Sequence, residues 1–440
     1  MVSSRPALVR AIGRWSLAAL TINCIIGSGV FGLPSVIAGM LGNASPFAWI
    51  VAALATGLVM ACFAEVSSRF EGSGGVYLYS RAAFGRTVGI AVAWFGLLAR
   101  LTAIGANANL FVIYLGEFWP RANALVPRTI VLFLLFGFLA WVNYVGVRRG
   151  TTLSNVFTAI KLITLLAFIA AGLAFLAFHH RAFVLSRPAG SEASWFRSIL
   201  LLMFAYGGFE TALTPGGEAK DPRRDYPFAL FTALVTCTVV YTLAQWIVIS
   251  VVPLSAMTTR PIAAAIQAMV GPTGAWVVSL AILASTYGYL SANILGFPRI
   301  LFALAEQGDV PEVLARVHNT FRTPHVAIAV LSACALAFSL AGSFQWNVLI
   351  SATSRLLYYG SVCAALLVLR RKREAPQAIF HLPLGNLVAV LALVVSLLLF
   401  PELDRRGLIV LAVIAFCVAA HSLWAARNAR AVSLGEQKSF

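Results

Sequence analysis

The chain has 440 residues, of which 60% are hydrophobic and only 11% are charged, and its mean hydropathy is +0.89. A soluble domain of this length would carry far more charge, so the composition excludes a soluble globular protein. The formal charge of +17 would suit a nucleic-acid-binding protein. The distribution of the basic residues between the predicted loops instead indicates membrane topology.

Apolar runs of roughly 20 residues recur along the whole chain, and each is long enough to cross a bilayer core of about 30 Å as a helix. The short alternating segments typical of a membrane barrel do not occur. The sequence therefore predicts an all-α polytopic membrane protein with twelve transmembrane helices. The predicted limits of these spans are 15–39, 45–67, 87–117, 127–146, 153–177, 195–216, 227–252, 273–304, 325–342, 346–368, 382–400 and 407–426.

The basic residues indicate the orientation of these spans. Of the 32 Lys and Arg residues, 20 fall in segments on the same side as the N-terminus, eight fall on the opposite side and four lie within spans. Because cytoplasmic loops carry an excess of Lys and Arg, we expect both termini in the cytoplasm and the protein in the plasma (inner) membrane. The same bias predicts contact with anionic lipid and no nucleic-acid partner.

The first span is interrupted by the stretch TINCIIGSGVFGLPS, residues 21–35. A break at 26–29 would start a new half-helix, whose free N–H groups and positive dipole end suit a carboxylate. Glycine lets a ligand approach the backbone closely, and Ser28 adds a hydroxyl group or a helix cap. The predicted substrate-binding residues are Ile26, Gly27, Ser28 and Gly29, with close helix packing as the alternative explanation of the glycines.

Four basic side chains lie within spans, and such residues are functional candidates because a charge in lipid is costly. Arg100 lies in span 3, Lys161 in span 5 and Arg355 in span 10, whereas Arg299, in the last third of span 8, is expected to reach the interior surface. The alternative for Lys161 is snorkelling, since it lies roughly 13 Å from the cytoplasmic end of its span. The partners of Arg100 and Arg355 are open, as is any contact they make with substrate.

A second break occurs in span 6, in the stretch FAYGGFETALTPGG, residues 204–217. This span runs in the opposite direction, so its first half ends with free carbonyls and a negative dipole end, which suit an ammonium group. The predicted substrate-binding residues are Phe204, Ala205, Tyr206 and Gly207. Phe204 is also predicted to act as a gate, unless it is a core or lipid-facing residue. Glu210 either bonds freed backbone groups or titrates as a gate.

The two breaks lie five spans apart, which predicts inverted repeats, because a repeat with an odd number of crossings must re-enter from the opposite side. The predicted divisions are 1–190 for spans 1–5, 191–372 for spans 6–10, and 373–440 for spans 11 and 12 with a cytoplasmic tail. Donors at one break and acceptors at the other suit a zwitterionic amino acid. Polar residues of span 8 (Ser285, Tyr287, Asn293) and span 10 (Ser351, Thr353) either line the pathway or pack.

Four stretches resemble the amino acid–polyamine–organocation superfamily of permeases, and the resemblance covers the whole chain. IIGSGVFGLP is similar to the first-helix signature of that family, and AEVSSRFEGSGGVYLYSRAAFG is similar to the stretch between its helices 2 and 3. FAYGGFETALTPGGEAKDPRRDYPFAL resembles its sixth helix and the following loop, and NILGFPRILFALAEQGDVP resembles the end of its eighth helix. Gly207-Gly208 departs from the pattern, because many relatives carry a bulkier first residue.

The resemblance implies a LeuT-type fold, with a 5+5 inverted repeat plus two C-terminal helices, and transport by alternating access. In several family members a lysine of the fifth helix occupies the place of a sodium ion in sodium-coupled relatives. Carried over to Lys161, this implies sodium-independent transport, in which the lysine braces span 1 and could couple proton binding to transport.

The sequence therefore predicts a secondary active transporter for L-amino acids, neutral ones first, that works as an exchanger or a proton-coupled symporter. The alternatives are a basic amino acid or polyamine antiporter and a non-transporting amino acid sensor on the same scaffold. No cofactor or metal is predicted, because all six cysteines fall within spans without a CxxC pair. An enzyme lacks support, since no catalytic cluster is recognisable. The oligomeric state and the physiological direction of transport stay open.

Overall fold

A computed structural model of the protein describes residues 13–70, 75–145, 150–179, 191–213, 221–306, 310–372, 376–402, 405 and 407–421. These residues form α-helices joined by short turns and 3-10 segments. In chain order the α-helices are α1 (Arg14–Ile25), α2 (Gly29–Leu41), α3 (Ser45–Ser67), α4 (Gly75–Phe84), α5 (Arg86–Leu115), α6 (Leu125–Val145), α7 (Gly150–Phe178), α8 (Glu192–Tyr206), α9 (Phe209–Ala212), α10 (Pro222–Val251), α11 (Pro261–Val270), α12 (Pro272–Glu306), α13 (His325–Ala341), α14 (Phe344–Arg371), α15 (Gly385–Leu399) and α16 (Gly407–His421).

The all-α membrane class is confirmed, and each predicted span coincides with one helix or one broken pair to within a few residues. Among the described residues, eight helical stretches are long and apolar enough to cross a membrane, and three apolar helices are shorter. The number of twelve spans stays a prediction, in part because the broken spans are divided into pieces. The predicted cytoplasmic tail beyond residue 421 lies outside the described residues.

Two helices occur where the sequence predicts only loops. Residues Gly75–Phe84 form α4 between spans 2 and 3, and residues Pro261–Val270 form α11 between spans 7 and 8. Each has ten residues, with a buried face and an exposed face. Their apolar pattern is too short to distinguish from a loop, and their helical state depends on packing against the longer helices.

The centre of the fold consists of α1, α2, α3, α8, α10 and α14, which pack on one another and on α5. At the periphery, α6 and α15 expose large apolar side chains such as Leu134 and Leu397. Because a bilayer solvates apolar side chains, these outward faces are compatible with lipid. The protein is an integral membrane protein.

A buried polar network fixes α2 against α3 and α10 close to the first break. Trp49 Nε1 donates to Gln245 Oε1 at 3.0 Å, and Gln245 Nε2 donates to the Pro34 carbonyl at 3.1 Å and to Ser45 Oγ at 2.9 Å. Every polar atom of the Gln245 amide group therefore has a partner, which the apolar interior demands. The network holds the second half of span 1 in position.

A second buried network joins the far end of α3 to the C-terminal part of the chain. Glu65, which is fully buried, accepts hydrogen bonds from Arg69 Nη2 at 3.0 Å and Arg370 Nε at 2.9 Å. The N–H group of Leu382, just before α15, donates to the same carboxylate at 2.9 Å. The carboxylate is therefore paired with two arginines, and it connects α3, α14 and the segment that leads into α15.

Candidate functional site

The first break separates α1 from α2. The helix α1 ends at Ile25, Ile26 has an extended conformation (φ −69°, ψ 100°), and α2 begins at Gly29. Ser28 occupies the position before α2, yet its side chain makes no capping hydrogen bond. The first N–H groups of α2 have no partner within the helix, because a helix leaves its first turn unpaired.

The second break separates α8 from the single turn α9. The helix α8 ends at Tyr206, Gly207 is extended, and Gly208 has φ +108°. A side chain at position 208 would be strained by that φ, and its Cβ would overlap the carbonyl oxygen of Cys24. Glycine therefore allows the second break to lie directly against the end of α1.

The two breaks also meet at a second point. A Cβ added to Gly29 would lie 2.5 Å from Cβ of Ala205 and 2.8 Å from its Cα, so the start of α2 touches the end of α8. Tyr241, on α10, bridges the same two elements with its hydroxyl group, which lies 3.3 Å from the Ile25 carbonyl and 3.2 Å from the Ala205 carbonyl. The two breaks therefore form one unit, although the sequence separates them by about 180 residues.

A small cavity lies between the two breaks. Six of the predicted site residues line it: Gly27, Ser28, Gly29, Phe204, Ala205 and Gly207. The remaining lining residues are Cys24, Ile25, Asn107, Gly208, Tyr289 and Arg355. The walls therefore come from both breaks and from α5, α12 and α14.

Two predicted site residues do not line the cavity. Tyr206 is fully buried and points the other way, and its hydroxyl group donates to the Trp49 carbonyl at 3.0 Å. Ile26 contributes its carbonyl to a contact on the other side of the break. The structure thus separates these two residues from the cavity itself.

Lys161, on α7, lies behind the first break. Its Nζ atom donates to the Asn23 carbonyl at 2.8 Å and to the Ile26 carbonyl at 2.6 Å. The side chain is buried, so it does not snorkel to the membrane surface. A positive charge beside the last carbonyls of α1 is favourable, because those groups carry the negative end of the helix dipole.

Glu210, on α9, is buried and holds the second break together. Its Oε2 accepts the backbone N–H of Gly208 at 2.9 Å and the hydroxyl group of Tyr359 at 2.8 Å. Its Oε1 forms a salt bridge with Arg355 Nη1 at 2.9 Å, and the same Nη1 donates to Tyr359 Oη at 2.8 Å. Of the two roles the sequence allows, bonding to freed backbone is directly visible. The carboxylate also binds α9 to α14.

Arg100, on α5, extends towards the chain that follows the second break. Its Nη2 donates to Thr211 Oγ1 at 3.2 Å, and its guanidinium lies 5.6 Å from the ring centre of Phe297. The Thr211 hydroxyl belongs to the residue after Glu210, so Arg100 and Arg355 approach the same short turn from two helices. The cavity wall itself includes Arg355 and not Arg100.

Sequence reasoning did not single out Asn107 and Tyr289, which lie in the middle of two long helices. On α12 it chose Tyr287 as a pathway candidate, but the Tyr287 ring packs against Phe157 of α7 at 5.4 Å while Tyr289 lines the cavity. On α5 the polar pair Asn107 and Asn109, in an otherwise apolar run, is a signal that could have indicated a polar lining.

Comparisons with known proteins relate the chain to membrane transporters. The family model described as "Amino acid permease" matches residues 12–424. The serine/threonine exchanger SteT of Bacillus subtilis is 27% identical, over 88% of this chain and 89% of the relative. The branched-chain amino acid permease BcaP of the same organism is 26% identical, over 91% and 90%. Its methylthioribose transporter is 25% identical, over 89% and 87%. The names of these relatives cover different substrates.

Proposed function

The chain belongs to the amino acid permease family, a family of transporters rather than enzymes, and from that premise we propose that it carries neutral L-amino acids by alternating access. It works without sodium, as an amino acid exchanger or a proton-coupled symporter. The orientation we propose has both termini in the cytoplasm, in the plasma (inner) membrane. The ranges 1–190 and 191–372 act as inverted repeats, and 373–440 adds the two last helices.

The contact between the two breaks supports a zwitterionic substrate. Gly27, Ser28 and Gly29, at the start of α2, offer N–H donors for a carboxylate. At the end of α8, the Phe204 carbonyl accepts from Gly207 and the Ala205 carbonyl accepts from Tyr241. Each of these carbonyls keeps a second lone pair for an ammonium group. Because the cavity is small, an amino acid with a short side chain suits it better than a long one. Phe204 lines the cavity and closes it as a gate.

The position of Lys161 is the observation that carries the proposal. Its ammonium group binds two carbonyls at the broken end of α1, where a sodium ion would otherwise find oxygen ligands. A cation that is covalently part of the protein makes a dissolved one unnecessary. Since the lysine braces the first break, its loss changes the geometry that receives the carboxylate group.

The experiment measures uptake of labelled amino acids into proteoliposomes of the purified protein, with and without unlabelled amino acid inside. We expect uptake of small neutral amino acids that is unchanged when sodium is replaced by potassium. We also expect at least about tenfold slower uptake by Lys161→Ala, because loss of a buried charged donor leaves two carbonyls unpaired. Arg121→Gln, at an exposed arginine outside the site, is the control variant.

Three results would overturn the proposal. Uptake that requires sodium would contradict the role given to Lys161, as would a Lys161→Ala variant with full transport and unchanged pH dependence. Amino acids that raise the melting temperature of the wild type without any flux would indicate a sensor instead of a transporter.

A further inference from the structure

Three residues that line the cavity each have a buried polar atom without a hydrogen-bond partner among the described residues: Ser28 Oγ, Asn107 Oδ1 and Arg355 Nε. These residues are 1%, 1% and 5% exposed, respectively. A buried polar group without a partner is unfavourable, so a ligand that pairs with these atoms is stabilised. Arg355 Nε differs from the other two because it can only donate and because it belongs to a permanent cation.

The guanidinium of Arg355 is fixed in the cavity wall. Its Nη1 atom binds both Glu210 Oε1 and Tyr359 Oη, and these two partners are bound to each other. A Cβ atom at position 207 would overlap the guanidinium, so the group lies directly on the backbone of the second break. Glu210, Tyr359 and Gly207 are therefore positioning residues for Arg355, which lines the cavity and has no partner for its Nε atom.

The charges around this wall do not balance. Arg100, on α5, donates to Thr211, the residue after Glu210. The guanidinium groups of Arg100 and Arg355 therefore both lie at the turn that carries the single carboxylate of Glu210. Arginine does not lose its proton in a protein, so both positive charges persist at every physiological pH. Among the described side chains at this turn the balance is one net positive charge. Lys161 is itself a cation, so it does not offset this positive balance, and the end of α1 lies between it and the cavity.

From this arrangement we propose that Arg355 is the specificity-determining residue of the permease: it binds substrates with a short side chain that ends in an oxygen acceptor and rejects those with a cationic side chain. The inference rests on the proposed function and adds the side-chain class to it. The substrate oxygen accepts a hydrogen bond from Arg355 Nε, and the Asn107 and Ser28 oxygens accept from a hydroxyl or amide group of the same side chain.

The same contacts argue against basic amino acids and polyamines as substrates. Glu210, which would have to meet a second positive charge, is already bound to Arg355, Tyr359 and the Gly208 backbone. An incoming ammonium or guanidinium group would face Arg355 at short range in a medium that screens charge poorly. A permanent like charge at the site is an effective means of excluding a competing substrate.

The experiment compares how unlabelled amino acids compete for uptake of labelled serine in wild-type proteoliposomes. Serine and alanine differ by one hydroxyl group, so they test whether the site favours a side chain with an oxygen acceptor. Aspartate and ornithine have short side chains of opposite charge, so they test the sign of the net charge at the cavity wall. We expect serine to compete at roughly tenfold lower concentration than alanine, and aspartate to compete at least about tenfold better than ornithine.

The variant that tests the residue is the double substitution Arg355→Gln with Glu210→Gln, which removes both charges and leaves neither unpaired. We expect the preference for serine over alanine to fall at least about fivefold. The discrimination between aspartate and ornithine weakens but persists, because Arg100 keeps a positive charge at the turn. Arg121→Gln is the control and keeps the wild-type order. The rise in melting temperature that serine and alanine each cause in the double variant measures its preference between them even where its flux is slow.

The outcomes separate this inference from the proposed function. If no amino acid is transported by the wild type, the proposed function itself fails. If amino acids are transported but alanine competes as well as serine, or ornithine as well as aspartate, only the role of Arg355 is overturned. A double variant that keeps the full wild-type preference for serine over alanine also overturns it.

Discussion

Single glycines decide whether the candidate site exists, and they do so for different reasons. Gly208 has a positive φ and lies against the Cys24 carbonyl, so both its conformation and its contact require glycine. Gly29 has an ordinary helical conformation and is restricted only by its contact with Ala205. Gly39, on the same helix α2, has open space around it and serves as a natural comparison.

We expect Gly29→Ala to slow transport at least about tenfold and to lower the melting temperature. The added methyl group would lie 2.5 Å from Cβ of Ala205, and the backbone must shift to make room, at a typical cost of about 1–3 kcal/mol. The matched variant Gly39→Ala keeps wild-type uptake and is equally or more stable, because alanine favours a helix more than glycine does. Equal behaviour of the two variants in uptake and thermal melting would contradict the contact between the breaks.

At the scale of elements, the site depends on how α1, α2 and α8 are held by helices that are remote in sequence. Lys161 of α7 and Tyr241 of α10 bind carbonyls that the breaks leave free, and Gln245 of α10 binds the Pro34 carbonyl of α2. The breaks are thus not loose ends. The carbonyls bound by Lys161 and Tyr241 lie where the helices end, so a side-chain donor takes the place of a helical hydrogen bond there, as the apolar surroundings require.

We expect Tyr241→Phe to slow transport roughly two- to tenfold, the equivalent of about 0.5–1.5 kcal/mol for one hydrogen bond. The hydroxyl group joins the ends of α1 and α8, so its loss releases both breaks. The matched control is Tyr114→Phe, which removes a buried bond of 2.9 Å to the Phe31 carbonyl inside α2. Similar losses of melting temperature with a transport defect only in Tyr241→Phe would support the bridge, and equal transport in both variants would refute it.

The sequence allowed the helices and both breaks to be predicted, because hydropathy and glycine patterns are local signals. It could not assign the cavity wall fully. The ion pair of Glu210 with Arg355 joins residues 145 positions apart, and no local pattern encodes that distance. The faces of α12 were also ambiguous, since a shift of two residues turns Tyr287 away and brings Tyr289 in. Tyr206, predicted to bind substrate, points away from the cavity towards Trp49, because the position of a residue at a helix end does not fix the direction of its side chain.

At the scale of the whole molecule, the cavity lies between helices from both ends of the chain, and the peripheral helices present apolar side chains to lipid. The loop with Thr259 and the loop with Asn319 join different helices and are both exposed. In the orientation we propose, the first lies outside the membrane and the second lies in the cytoplasm. The two loops therefore report the topology of the entire bundle.

We expect a cysteine at position 259 (Thr259→Cys) to react with a membrane-impermeant thiol reagent in intact cells, and a cysteine at 319 (Asn319→Cys) to react only after the membrane is opened. The excess of basic residues on the side of the N-terminus is the physical reason. The unsubstituted chain serves as background, because its native cysteines are buried or partly buried. The reverse labelling pattern would invert the topology and with it the direction assigned to each break.

The close contact between Gly207 and Arg355 also restricts the order in which this chain can accumulate substitutions. A side chain at 207 would displace the guanidinium of Arg355 from its partners Glu210 and Tyr359, so a substitution at 207 costs least once the arginine has been replaced. A chain that carries both a side chain at 207 and an arginine at 355 is disfavoured, so substitutions at the two positions are coupled. A lineage that has replaced both residues restores the arginine most easily after position 207 has returned to glycine. The selectivity of this wall is therefore lost by one substitution and recovered only by two.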